Sequence, residues 1–70
     1  MGRVLKRIQG YQLKSKILKI KDKEVDIVLI NNSVIHGIIF SVSETELQLL
    51  NIIRNKSKIK FKEIKEILFV

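Results

Sequence analysis

The spacing of apolar residues changes at Val25, and this change constrains the fold more than any other feature of the chain. Before Val25, apolar residues recur every three or four positions, which is typical of a helix. From Val25 onward they recur every second position, as Ile27 and Leu29 do, which is typical of strands that bury one face. The 13 Ile and 6 Val among 70 residues favour strands further. The sequence therefore predicts a mainly β domain with an N-terminal α-helix.

The N-terminal third predicts one basic amphipathic helix. Its apolar residues fall in two groups at helical spacing: Val4, Ile8 and Tyr11, then Leu13, Ile17 and Ile20. The lysines between them that we expect to form a basic rim are Lys16, Lys19 and Lys21. Gly10 lies inside the pattern and can divide it, which would leave the residues before it as an arm. We expect residues 1–22 to be arm and helix and residues 24–70 to be a five-stranded barrel, all in one domain.

Turn residues divide the rest of the chain into five predicted strands. Asn31 and Asn32 predict a tight hairpin turn, because Asn tolerates the left-handed conformations that such turns require. Gly37 lies in the long second strand, where a residue without Cβ permits the bend or bulge by which a small sheet curls into a barrel. In the fourth strand, Ile59 and Phe61 share one face, and lysines occupy the other.

The last predicted strand, residues 64–70, favours self-association. It ends in four apolar residues, with neither Pro nor charge to protect an exposed edge. A domain of this size without disulfide or metal often gains stability by oligomerisation. We therefore expect a homo-oligomer in which this strand pairs with another subunit.

Missing residue types exclude several classes of function. The chain has no Cys and one His, which excludes disulfides, thiolate catalysis and Cys/His metal sites, and no cofactor is expected. Glu63 and Glu66 fit a charged strand edge better than an acid/base pair, so we expect no enzyme and no small-molecule substrate.

The longest uncharged run, residues 27–43, is interrupted by polar residues and is too short to span a membrane. No secretory signal is recognisable, and we expect a cytoplasmic protein.

Positive charge is concentrated in the two terminal parts of the chain. The net charge is +7; residues 1–24 carry +6, residues 25–53 carry −3 and residues 54–70 carry +4. A small body with this charge attracts polyanions such as RNA, DNA or an anionic membrane surface. Docking of the basic helix on an acidic protein or an anionic surface, with the strands as an assembly platform, stays open beside nucleic-acid binding.

A basic helix followed by five short strands, the second of them bent at a glycine, resembles the Sm-like family, in particular its Hfq branch of archaeal type. The strongest segment is residues 25–37, which is similar to the family's first two strands: an alternating strand, an Asn-containing turn and a glycine. Residues 59–64 lie where bacterial Hfq has a Tyr-Lys-His motif and other Sm proteins have Arg-Gly. Gln9 is similar to the glutamine that precedes the helix in bacterial members.

The resemblance implies a homo-oligomeric ring, usually of six subunits, in which the fourth strand of one subunit pairs with the fifth of its neighbour. It also implies binding of U-rich single-stranded RNA around the pore, and an RNA-chaperone role in post-transcriptional regulation. The pore-site residues that it implies are Gln9, Glu44, Thr45, Phe61 and Lys62. On the opposite face, the positions at which bacterial Hfq reads purine-rich RNA hold Val28, Asn32, Ser33 and His36.

Two of the pore positions depart from the family. Thr45 stands where bacterial Hfq stacks a base on Phe, and Glu44 stands in its Gln position. Thr45 offers little ring surface, and carboxylates near the site repel phosphate. We therefore expect looser uridine binding or a base contact through another group, with Lys62 as the principal cation.

Overall fold

The computed structural model describes residues 6–70, which form an antiparallel sheet of six strands and a short helical segment. The strands are β1 (Lys6–Gln9), β2 (Glu24–Leu29), β3 (Val34–Val42), β4 (Glu46–Leu50), β5 (Lys56–Lys60) and β6 (Ile64–Phe69). Their order across the sheet is β1-β6-β2-β3-β4-β5, so β1 and β5 are its edges. The mainly β class is confirmed, and the predicted number of strands is one too few.

The additional strand, β1, replaces part of the predicted helix. Helical spacing of Val4, Ile8 and Tyr11 predicts a helix here, but Lys6–Gln9 is extended and pairs with β6, with Ile8 opposite Ile67. Val4 lies outside the described residues. Ile8 is 4% exposed and is the one buried residue of β1. A strand therefore buries the single apolar side chain of this stretch as well as a helix would.

Residues 10–20 form the helical segment. It consists of a 3₁₀ turn (Gly10–Gln12), α1 (Leu13–Lys16) and a second 3₁₀ turn (Ile17–Ile20). The second predicted apolar group is buried in the core, as its spacing predicts, whereas Tyr11 is 86% exposed. Gly10 marks the change from strand to helical segment. A Cβ at Gly10 would lie 2.6 Å from the carbonyl oxygen of Ile64, so a residue without Cβ lets the chain pass this close to β6.

Asn31 and Asn32 form the turn between β2 and β3, as predicted. Asn32 has a φ of 70°, in the left-handed region that Asn tolerates. The Oδ1 atom of Asn31 accepts a hydrogen bond of 2.9 Å from the backbone N–H of Ser33. The side chain of Asn31 therefore stabilises the turn that the backbone of Asn32 makes possible.

β3 is strongly bent, and the turn Phe61–Glu63 shows how strongly. A straight strand of nine residues would span about 26 Å between its terminal Cα atoms. Before β3, the N–H of Ile30 donates to the carbonyl oxygen of Glu63 over 3.0 Å; after β3, the carbonyl oxygen of Thr45 accepts from the N–H of Phe61 over 2.9 Å. Three extended residues reach at most about 11 Å. The same turn connects β5 to β6, which three strands separate in the sheet, so the sheet, and β3 within it, must curve.

Gly37 and a β-bulge accommodate this curvature. Gly37 is buried, and a Cβ there would lie 2.6 Å from the carbonyl oxygen of Leu50 and 2.8 Å from Cγ of Leu49. The register of β3 with β4 shifts between Ile39 and Ser41, as it does at a bulge. Gly37 thus lies within the bent strand, where the sequence predicts it, and lets β4 pack closely against β3.

β1 covers the outer edge of β6. The register places Lys6 opposite Phe69 and Gln9 opposite Glu66, and Nε of Arg7 lies 3.2 Å from Oε1 of Glu66. The sequence argument that the last strand is an open edge is therefore wrong, because a strand of the same chain pairs with it. The opposite edge of the described sheet, β5, carries lysines at alternate positions, a feature that discourages association between strand edges.

The hydrophobic core includes residues of both the sheet and the helical segment. Its buried residues are all aliphatic: Ile8, Leu13, Ile17, Ile20, Val25, Ile27, Ile39, Leu47, Leu49, Ile59, Ile64 and Ile67. Phe61 is half-buried and packs against this core. It lies in the turn Phe61–Glu63 and not in the fourth strand, where the sequence predicts it. Within residues 6–70, no helix has the length and apolar character needed to cross a bilayer.

Candidate nucleic-acid interface

Three adjoining cavities lie around the side chain of Phe61. Their volumes are about 630, 400 and 280 Å³, and Lys14 and Phe61 line all three. Because they share these walls, we describe them together as the Phe61 cleft. The cleft residues with a charge, a hydroxyl group or an aromatic ring are Tyr11, Lys14, Ser43, Glu44, Thr45, Lys60, Phe61 and Lys62.

Two turns form walls of the cleft and are joined to each other. One is Phe61–Glu63, and the other connects β3 to β4. Ser43 closes the second turn, since its Oγ donates to the carbonyl oxygen of Glu46 over 3.0 Å. The hydrogen bond from the N–H of Phe61 to the carbonyl oxygen of Thr45 links the two turns. The aromatic wall and the polar wall are therefore held at a fixed separation.

The cleft brings together four of the five predicted pore-site residues. These are Glu44, Thr45, Phe61 and Lys62, and all of them line the cavity of about 400 Å³. Lys14 and Lys60 line the same cavity. Gln9 does not line any of the three cavities; it ends β1, and its backbone N–H donates to Oε1 of Gln12 over 3.2 Å.

The helical segment contributes two cleft residues that sequence reasoning missed. Lys14 is exposed and borders every cavity of the cleft, and the exposed ring of Tyr11 borders the smallest one. In a short helix, positions that do not face the core face solvent or a neighbouring groove. Their places near buried positions of the segment, which Lys16 and Lys19 share, do not by themselves indicate the cleft.

The predicted basic rim lies outside the cleft. Lys16 is half-buried, Lys19 and Lys21 are exposed, and none of the three lines a cavity. Nζ of Lys21 lies 3.8 Å from Oδ2 of Asp22, a weak surface ion pair. The positive charge of the cleft comes from other lysines.

Three lysines and one carboxylate give the cleft a net positive charge. They are Lys14, Lys60, Lys62 and Glu44. All four are exposed, and among the described residues none of them forms a salt bridge. Their ammonium groups and the carboxylate are therefore available to a ligand.

His36, predicted on the opposite face, is held between two carboxylates. It lies opposite Asp26 in the β2–β3 pairing; its Nδ1 bonds to Oδ1 of Asp26 and its Nε2 lies 2.8 Å from Oε2 of Glu24. The hydrogen bonds that the ring donates to Asp26, and then to Glu24, raise the pKa of His36 above its ordinary value. Both ring nitrogens are thus occupied, which leaves His36 no free nitrogen to read a base.

The other residues predicted for that face lie in or beside the same hairpin. Val28 pairs with Val34 in the ladder, and Asn32 and Ser33 belong to the turn. None of them lines the Phe61 cleft. In the described part of the chain, no group of three His, Asp or Glu residues is placed to hold a metal ion.

Comparison of the chain with family models, with curated proteins and with solved structures yields no match.

Proposed function

We propose that this protein binds single-stranded RNA in the Phe61 cleft. The observation that carries the proposal is an aromatic ring, Phe61, bordered by three lysines that form no salt bridge among the described residues. Sites for single-stranded nucleic acid combine aromatic rings, on which bases stack, with cations that follow the phosphate backbone. Tyr11 adds a second ring at the wall of the smallest cavity.

The dimensions of the cleft favour a single strand. Cavities of about 400–630 Å³ hold a small organic ligand, which is comparable to one or two nucleotides. Bases can enter such a site only when they are unpaired, because paired bases have their faces covered by stacking. The resemblance to Hfq implies U-rich tracts as the ligand and an RNA-chaperone role for the protein.

The Sm-like fold is part of this proposal, and the curvature of the sheet supports it. β5 and β6 are separated by three strands in the sheet order, which is about 19 Å at the usual strand spacing. The turn Phe61–Glu63 nevertheless connects them with three residues. Curvature of this kind is what the closure of a sheet into a small barrel requires.

The homo-oligomeric ring is also a proposal, and the position of β1 changes how it would form. Since β1 covers β6, a second copy would add its β5 to the outer edge of β1, which pairs with no other strand of residues 6–70. Both edges are basic: Lys6 and Arg7 lie on one, and β5 has three lysines on the other. Like charges at such a junction are unfavourable, so we expect salt or bound RNA to promote assembly. Light scattering of the protein with and without RNA, at low and high salt, measures this.

The test of RNA binding compares matched variants in fluorescence anisotropy. A labelled U-rich single strand, an RNA duplex and heparin serve as ligands. Tyr11→Ala should weaken binding of the single strand by about 5- to 150-fold, the range for a lost stacking interaction. Lys14→Ala should weaken binding and lower the slope of log K against log salt by about 0.7, the value for one phosphate contact on a single strand. Lys19→Ala, an exposed lysine of the same segment outside the cleft, is the control.

A second candidate function, binding to an anionic surface, is favoured by exposed apolar residues near lysines. Leu18 is 72% exposed on the helical segment, and Ile52 is 94% exposed in the turn between β4 and β5. Anionic and neutral vesicles in a sedimentation assay distinguish the two functions. Tighter binding to anionic vesicles than to the RNA strand, or equal effects of Lys14→Ala and Lys19→Ala, would favour the surface-binding function.

A further inference from the structure

The Phe61 cleft contains one acidic residue, Glu44. Attraction of phosphate by the cleft does not explain why a carboxylate lies there. Glu44 lines the two larger cavities, and no other carboxylate borders the cleft. Among the described residues, its carboxylate takes part in no salt bridge and no hydrogen bond. A carboxylate repels the phosphate backbone that the lysines attract. Its place in the cleft therefore suits contact with a different part of the nucleotide.

The turn that carries Glu44 is fixed beside the aromatic ring. Oγ of Ser43 accepts from the N–H of Glu46 over 3.2 Å and donates to its carbonyl oxygen over 3.0 Å. The next residue, Thr45, accepts the N–H of Phe61. A base that enters next to the ring of Phe61 would therefore share a cavity with the carboxylate of Glu44.

The chemistry of a carboxylate selects among the four bases. An ionised Glu only accepts hydrogen bonds, and its two oxygens can accept from two adjacent donors. On the Watson–Crick edge, guanine alone has two adjacent donors, N1–H and the 2-amino group. Uracil has one N–H between two carbonyl oxygens, and adenine and cytosine each have an amino group beside an acceptor nitrogen. We propose that Glu44 recognises the Watson–Crick edge of one guanine in the bound RNA strand.

This inference rests on the proposed RNA binding and specifies one base within it. A U-rich strand would follow the lysines and stack on the rings, since stacking tolerates every base. A guanine at the Glu44 position would add the directional contact. Binding of a matched base through two hydrogen bonds is worth about 1–3 kcal/mol of discrimination, which corresponds to about 5- to 150-fold in affinity.

The experiment uses three labelled strands and three proteins. The strands are oligouridylate, the same strand with one central guanosine, and the same strand with one central inosine, which lacks the 2-amino group. The proteins are wild type, Glu44→Gln and Glu63→Gln; the last has the same charge change at an exposed residue that lines no cavity. We expect wild type to prefer guanosine over uridine by at least about fivefold, with inosine between them. Glu44→Gln should lose this preference, and Glu63→Gln should keep it.

Each of the other outcomes overturns the role of Glu44, RNA binding, or both. Equal binding of the guanosine and uridine strands by wild type, or an unchanged preference in Glu44→Gln, overturns the role of Glu44 and leaves RNA binding intact. A uniform gain in affinity for all strands in Glu44→Gln would make Glu44 a repulsive charge only, and the inference would be wrong. Failure of wild type to bind any strand overturns the proposed function and this inference together. Circular dichroism of the variants checks that these exposed substitutions leave the fold unchanged.

Discussion

One buried side chain, Ile8, stabilises the attachment of β1 to the sheet. It is 4% exposed, lies opposite Ile67, and is the only buried residue of its strand. Ile8→Ala removes buried methyl and methylene groups and leaves a cavity, which at buried sites costs about 2–5 kcal/mol. Because β1 is a four-residue edge strand that can settle inward, we expect the lower part of this range, about 2–3 kcal/mol.

This loss is large enough to measure and small enough to leave the variant folded. A chain of 70 residues is expected to be stable by about 4–10 kcal/mol. For a domain of this size, a loss of 2–3 kcal/mol lowers the melting temperature by about 10–20 °C. Urea and thermal unfolding, both followed by circular dichroism, give two measures of the same change. Ile52→Ala makes the identical substitution at a residue that is 94% exposed, where the cost should stay below about 0.5 kcal/mol.

The comparison of the two variants decides between two conformations of the N-terminal region. If Ile8→Ala loses no more stability than Ile52→Ala, Ile8 does not pack against Ile67, and residues 6–9 do not form an edge strand. The helix that the sequence spacing predicts would then be the better description of these residues.

Three further predictions concern the bend, the histidine and the cleft. Gly37→Ala should lower the free energy of unfolding in urea by about 1–3 kcal/mol, because its Cβ would lie 2.6 Å from a backbone oxygen. A variant as stable as wild type would mean that β3 and β4 are less closely packed. The raised pKa of His36 predicts a contribution to stability that is complete below about pH 6.5 and lost as pH rises through the raised value. Because the ring is half exposed, the change should be at most about 1 kcal/mol, and His36→Gln should abolish it in unfolding measured from pH 5 to 9. Lys62→Ala should reduce the salt slope of RNA binding by about 0.7, while Lys65→Ala outside the cleft should not; equal slopes for the two would remove Lys62 from the site.

The parts of the fold that follow local rules could be predicted from the sequence. The turn at Asn31 and Asn32 depends on the left-handed conformation of one residue, and Asn tolerates that conformation wherever the strands lie. The alternation at Val25 and Ile27 identifies the buried face of β2 because both positions need the same side of the sheet.

The first strand could not be predicted because its partner is distant in sequence. Lys6–Gln9 has one apolar residue, which fits a period of 2 as well as a period of 3.6. Pairing with β6, at the other end of the chain, decides the conformation. The sequence places Phe61 in the fourth strand for a similar reason, since alternation alone does not show where β5 ends.

The candidate site shows the same division between local and distant information. Glu44 and Thr45 share a turn, and Phe61 and Lys62 share another, so each pair could be placed by its own segment. Lys14 borders the cleft only because the helical segment packs next to both turns. No local pattern distinguishes Lys14 from Lys16 or Lys19.

The three-residue turn Phe61–Glu63 links the chain before β3 to the chain after it through two backbone hydrogen bonds. The same turn forms a wall of the Phe61 cleft, and the hydrogen bond from the N–H of Phe61 to the carbonyl oxygen of Thr45 joins that wall to the turn that carries Glu44. Under the proposed RNA binding, a nucleotide at the ring would meet a wall whose backbone is already hydrogen-bonded, so binding would cost less conformational entropy.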